Sequence, residues 1–353
     1  MTRSHFAWAM RAWKVVGFIA LVVPAGPQKI AAAADAPQSA AASPNAASTS
    51  PADPFAAVLK YTFDQPRTAV MAIEAKIRQA KPEQYPHIEE QLLAIVRAPE
   101  ASSDAKAWAC RQLRQVGSVR SAEVLAALLP DPKLATYARL ALQSIPGSKV
   151  DEVLRQALGR LEGDLKVGVI LTLGARADEK AVALLSPLAR DPNPSIAEAA
   201  MVALGQIGTA EALAGLEAVQ PPAALRRTHA LAVLQCAGRA AREGKALQAA
   251  AIYRRHLEPG FDAVVRTAAL RGLLVVQKAE GIAAVVSALG DPQAKVRLGA
   301  AQALAELGDA ACWKGVLSVF DALPADAQIA LLRLVRDPVA RQIAVRAADA
   351  RHQ

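Results

Sequence analysis

The sequence predicts an all-α fold, a right-handed superhelix of stacked helical hairpins. Three observations predict it. A phrase recurs along the chain: Asp-Pro or another breaker, an Ala/Leu-rich amphipathic segment, a glycine, then a shorter apolar segment. Within each phrase the apolar residues fall at helical spacing, so they line one face. The composition is 53% hydrophobic but only 4% aromatic, dominated by residues that suit packed helices better than aromatic-rich sandwiches.

The N-terminus reads as an address. Arg3, Arg11 and Lys14 precede an apolar run from Val15 to Val23, which Pro24 and Gly26 break before the alanines of 31–34. This is the three-part pattern of a secretory signal peptide, with cleavage expected after Ala34. The run is too short for a bilayer core of about 30 Å. Residues 35–54, rich in Ala, Ser and Pro, bury too little apolar area to offset ordering entropy and are expected to be a disordered linker. The net charge of +9 falls with the signal, because residues 1–34 hold four basic residues and no acid; 37 basic against 32 acidic residues remain, or +5.

The repeat fills residues 55–353 with about eight expected hairpins. Asp131-Pro132, Asp191-Pro192, Asp291-Pro292 and Asp337-Pro338 open four units. Gly117, Gly147, Gly174, Gly208, Gly238 and Gly308 are expected to close the first helix of each. In the clearest unit Asn193 caps a helix that Pro194 begins. Ile196, Ala200, Ala203, Leu204 and Ile207 line its inner face, Gly208 ends it, and Thr209 or Ala210 starts a second helix whose Leu213 and Leu216 face inward. Val296, Ala300, Ala303, Leu304 and Leu307 repeat the pattern. A lone hairpin cannot bury such a stripe, but stacked hairpins can. The last helix is expected at residues 339–350, on the apolar residues Leu331, Leu332 and Leu334.

This pattern resembles bacterial HEAT repeats of the type first named for phycobilin-lyase-like proteins. Ala246–Arg255, Pro259-Gly260, Arg266–Leu274 and Val167–Ile170 are similar to stretches of large secreted HEAT proteins. The resemblance spans roughly residues 65–350 and implies a HEAT/armadillo-like solenoid. It says little about function, since the motif is structural. Some such arrays are fused to catalytic domains; here the solenoid is expected to occupy the chain without one.

Chemistry-bearing patterns are sparse. The histidines His5, His87, His229, His256 and His352 show no ligand spacing, and His87 with Glu89 and Glu90 reads as the polar first turn of a helix. Cys110, Cys236 and Cys312 form no CxxC and read as small core residues. No GxSxG and no glycine-rich phosphate loop appears. No cofactor, metal or catalytic residue is therefore assigned, and the chain is expected not to be an enzyme.

One charge feature stands out. Arg226, Arg227, Arg239, Arg242, Lys245, Arg254, Arg255, Arg266 and Arg271 face only Glu243, Glu258 and Asp262 in the same stretch. Read functionally, this is a docking patch for an acidic partner; read structurally, it is a solvated helix face. Further surface candidates on second helices, expected to build the concave side, are Arg155, Lys180, Gln248, Arg255 and Lys314. The function expected is a monomeric protein-interaction scaffold, exported to the periplasm or beyond, without a membrane span. Nucleic-acid binding is the alternative that the fold permits, but the scarcity of aromatics for base stacking disfavours it. A lyase acting on a tetrapyrrole rests on the repeat family's name alone.

Overall fold

Local capping sets where each helix begins. In the computed structural model, which describes residues 54–308 and 310–334, the Asp-Pro motifs act as Asx turns. The side chain of Asp131 accepts from the Lys133 amide at 2.8 Å, Asp191 from Asn193 at 2.8 Å, and Asp291 from Gln293 at 2.9 Å. Each such bond turns the chain from the end of one repeat into the next helix. Asn193 caps the helix that begins at Pro194, through the Ser195 amide at 3.0 Å, and Thr209 caps the following one through Ala212 at 3.2 Å.

The described residues hold eighteen α-helices and no β-strand. In chain order they are α1 Pro54–Val58, α2 Thr68–Gln79, α3 Tyr85–Arg97, α4 Ser103–Val116, α5 Ala122–Ala126 and α6 Ala135–Ser144. There follow α7 Ser148–Leu158, α8 Gly163–Ala175, α9 Val182–Leu188, α10 Pro194–Ile207, α11 Ala210–Glu217 and α12 Arg226–Arg242. The last six are α13 Ala246–Arg255, α14 Ala263–Val276, α15 Lys278–Leu289, α16 Ala294–Leu307, α17 Ala310–Leu317 and α18 Ala325–Leu334. The signal segment, the linker up to residue 53 and the expected terminal helix at 339–350 lie outside the described residues.

Consecutive helices pack in pairs, and the pairs stack. From α4 to α18 every even-numbered helix packs on the next even-numbered one, which makes a continuous first layer. In the second layer α3 packs on α5, α5 on α7, α9 on α11 and α15 on α17. The core lies between the layers. Leu142, Leu173, Leu204, Val233, Leu273 and Leu304 occupy it from successive first-layer helices, all at 2% exposure or less. They are 31, 31, 29, 40 and 31 residues apart. The fold is the all-α repeat solenoid that the periodicity predicts.

Three expectations need correction. Gly174 lies inside α8 and does not end it. A Cβ there would stand 2.6 Å from the Ala203 Cα, so the glycine lets α8 and α10 approach closely. The left-handed residue that follows α8 is Ala177, at φ 52°. Gly238 likewise lies inside α12, which runs on to Arg242, and Gly244 at φ 85° makes the turn. The second helix of that hairpin accordingly begins at Ala246. Leu307 is 40% exposed: the last turn of α16 carries it out of the stripe that buries Val296, Ala300, Ala303 and Leu304.

Candidate functional surface

The nine basic residues between 226 and 271 do not form one face. Arg226 and Arg227 start α12, whereas Arg239 and Arg242 lie in its last turn. A helix of 17 residues separates its ends by about 24 Å. Lys245 follows the second pair. Most of the nine are already engaged. Arg227 Nε donates to Asp262 at 2.5 Å, and Arg255 pairs with Glu217 at 3.0 Å. Arg239 bonds Glu179 at 2.5 Å, Glu243 at 2.7 Å and the Ile207 carbonyl at 2.6 Å. Lys245 reaches Glu243 at 3.1 Å, Arg254 donates to Gln277 at 2.5 Å, and Arg271 pairs with Glu306. Arg266 is buried, bonded to the Leu257 carbonyl at 2.9 Å and paired with buried Asp291. Only Arg226 and Arg242 of the nine have no such bond among the described residues.

Several of these pairs form a ladder that sequence inspection missed. Arg227, Arg266 and Arg297 stand in the first turns of α12, α14 and α16. Each reaches an aspartate at or near the start of the next first-layer helix: Asp262, Asp291 and Asp326. Asp262 also caps α14 through the Val264 and Val265 amides, each at 3.0 Å. Burial would raise its pKa, but those amides and Arg227 outweigh burial and hold it below the ordinary value. Asp291 is held low in the same way, by Arg266 and the Gln293 amide. The only sequence signal is an Arg on one helix and an Asp some 25 to 35 residues later, which nothing singles out before the stacking is known.

Other candidates have similar structural duties. Glu89 lies early in α3, near the polar first turn expected of it, but it is buried, at 1% exposure. It accepts from the Ser118 amide at 2.7 Å, from the Ser118 and Ser121 hydroxyls at 2.9 and 2.6 Å, and from Arg120 at 3.0 Å. Burial alone would raise its pKa, yet these donors hold the carboxyl below its usual value. Cys110 and Cys236 are buried, and burial pushes both thiols up to about 12, so neither is poised as a nucleophile. Among the second-helix candidates, Arg155 is tied to Asp178 at 2.5 Å, while Lys180, Gln248 and Lys314 are exposed. Among the described residues no three His, Cys, Asp or Glu side chains are grouped to hold a metal ion, and no helix is long and apolar enough to cross a membrane.

A different set of cations is unspent. The first-layer helices α4, α6 and α8 carry Lys106, Arg111, Arg114, Arg139 and Lys166, and none is ion-paired among the described residues. The Arg111 guanidinium lies between two rings, 4.8 Å from the centroid of Phe63 and 5.6 Å from that of Tyr137. Arg139 lies along α8, where a Cβ at Gly168 would stand 3.0 Å from its Nε, and among the described residues its one hydrogen bond is to Thr172 Oγ1 at 3.3 Å.

Residues 150–235, from α7 into α12, match the family model described as HEAT repeats. No curated protein matches the chain. Among solved structures the chain is similar to the crystal structure of an engineered protein, at 16% identity over 84% of this chain and 98% of that one, with a TM-score of 0.39.

Proposed function

We propose that this HEAT-repeat solenoid is a non-enzymatic protein-interaction scaffold that works outside the cytoplasm. The observation that carries the reading is how its polar chemistry is used. Its buried acids and cations cap helices or join one repeat to the next, as Glu89, Asp291 and Arg266 do. What such a stack offers a partner is extended surface on two helix layers, the property for which solenoids are suited. All three cysteines are buried, and burial raises the pKa of Cys110 and Cys236, which suits an oxidising compartment because a buried thiol does not invite unwanted disulfides. Export itself rests on the signal pattern of residues 1–34.

Two measurements test this. Photo-crosslinking groups placed at exposed Lys180, Gln248 and Lys314 in the native host are expected to give discrete protein adducts. A lack of adducts from every position would overturn the scaffold reading. Fractionation with N-terminal sequencing is expected to find a chain that starts near Asp35 in the periplasmic or extracellular fraction; a cytoplasmic, unprocessed chain would overturn the location.

A further inference from the structure

The unspent cations on α4, α6 and α8 contrast with the rest of the first layer. From α10 onward that layer carries nine basic residues on its helices, and five of them (Arg227, Arg239, Arg266, Arg271 and Arg297) are ion-paired. On α4, α6 and α8 the positions of the guanidinium groups are set by other means. Arg111 is held between Phe63 and Tyr137, an arrangement that fixes the plane of the group by cation–π contact while leaving its N–H edge free. Arg114 follows one turn later, exposed on the same side of α4. Arg139 occupies the channel that Gly168 leaves open; burial draws its pKa down, and no carboxylate offsets that cost. These are pre-organised donors whose hydrogen-bonding capacity, apart from the Arg139 bond to Thr172, takes no partner among the described residues.

Between and beside them the surface is apolar. Leu140, Leu171, Val202 and Leu231 are half-buried at successive positions on α6, α8, α10 and α12. Of the acids on α4 and α8, Asp104 accepts from the Phe63 amide at 2.9 Å at the start of α4, and Asp164 lies in the first turn of α8.

We propose that the α4–α6–α8 face receives an extended acidic segment of a partner protein, with Arg111, Arg114 and Arg139 taking its carboxylates and Leu140 and Leu171 taking its apolar side chains. The proposal rests on the scaffold reading and names the surface and the partner's chemistry. Neighbouring helix axes lie about 8–10 Å apart, so the face from α4 to α8 is spanned by about six extended residues. Charge complementarity selects an anionic ligand. The apolar row selects acidic protein over nucleic acid, since aliphatic Leu140 and Leu171 take apolar side chains and offer no flat ring for a base to stack on, and Phe63, exposed at this end, has the Arg111 guanidinium over it.

The test uses the purified chain and a fluorescein-labelled peptide of repeated Glu-Glu-Leu, with a DNA duplex of equal charge beside it. The expected result is saturable peptide binding that weakens about tenfold or more in R111E/R114E and in R139Q, and changes less than about twofold in the control R226E/R242E. Arg111 and Arg114 are exposed, so that double variant keeps its fold even where Arg139→Gln loosens α6; circular dichroism checks both. Equal weakening in the control, absence of peptide binding at low salt, or tighter duplex binding through the same arginines would each overturn the proposal. Adducts from the crosslinking positions with no peptide binding would discard this face alone; no adducts at all would discard the scaffold reading.

Discussion

His256 illustrates how one side chain sets a condition on the whole repeat. It is 3% exposed, its Nδ1 lies 2.8 Å from the Ile252 carbonyl, and its ring stacks at 4.6 Å on Phe261. Burial lowers its pKa below 6.5; the Ile252 bond acts the other way, and Arg255 and His229 add to the lowering. The unfolded chain therefore takes up the proton first. The stability that His256 contributes is complete above its ordinary pKa and is lost as pH falls from about 6.5 toward its depressed folded-state value. The thermal midpoint of the parent should drop between about pH 7.5 and pH 5.5, and less so in H256Q. Equal drops in both would remove His256 as the cause. Glu89, Asp262 and Asp291 are held below the ordinary carboxyl values of 4.5 and 3.8, so their contribution disappears only in more acidic solution.

At the scale of the helix, two glycine-related sites behave oppositely. Ala177 adopts a left-handed φ of 52° where α8 ends. An L-residue pays for that conformation, so Ala177→Gly should stabilise the protein by about 1 kcal/mol. Gly174 is in regular helix, where Ala would normally gain about 1 kcal/mol. Here its added Cβ would meet Ala203 and Gln206 at 2.6 Å, against backbone that cannot swing away, so Gly174→Ala should cost about 1–3 kcal/mol. Urea titration of both variants checks the pair, and a stabilising G174A would mean that α8 and α10 are not in close contact. The sequence shows a glycine three residues before the true turn and invites the wrong assignment. Gly205 and Gly208 on α10 contain both roles, one close contact and one αL cap at φ 70°. On α8 only the first role kept its glycine.

Across the whole described stack, the buried side chains fall into two sets that meet at α14. Val265, Ala269 and Leu273 belong to the larger set, which begins at Phe55; Leu270 and Leu274 belong to the smaller, which runs to Leu331. In a solenoid each repeat is stabilised by its neighbours, so a short set at one end has less support than the middle. The buried Arg266–Asp291 pair joins α14 to the start of α16, but beyond it the Arg297–Asp326 pair that ties α16 to α18 has an exposed partner, and such a pair adds little. Hydrogen exchange should therefore protect α8, α10 and α12 more strongly than α16 and α18. Uniform protection from α4 to α18 would show that the stack unfolds as one cooperative unit.

Local periodicity carried the helices, their pairing and most of the core, because a helix reports its buried face every three to four residues. Leu204, Leu213, Leu216 and Leu304 were legible as core, Asn193 as a cap, and the start of the next helix to within a residue of Ala210, from neighbours within one turn. The position of charge on the surface was not legible. The densest basic stretch, 226–271, divides between the two ends of α12 and is largely consumed by carboxylates up to 60 residues away in sequence, as in the bond from Arg239 to Glu179. Arg111, Arg114 and Arg139 attract no notice in the chain, and they become a candidate surface only because their stacked helices bring no acid to them. A side chain's own neighbours determine whether it can face outward; whether its charge remains available depends on residues a full repeat away, which only stacking brings within reach.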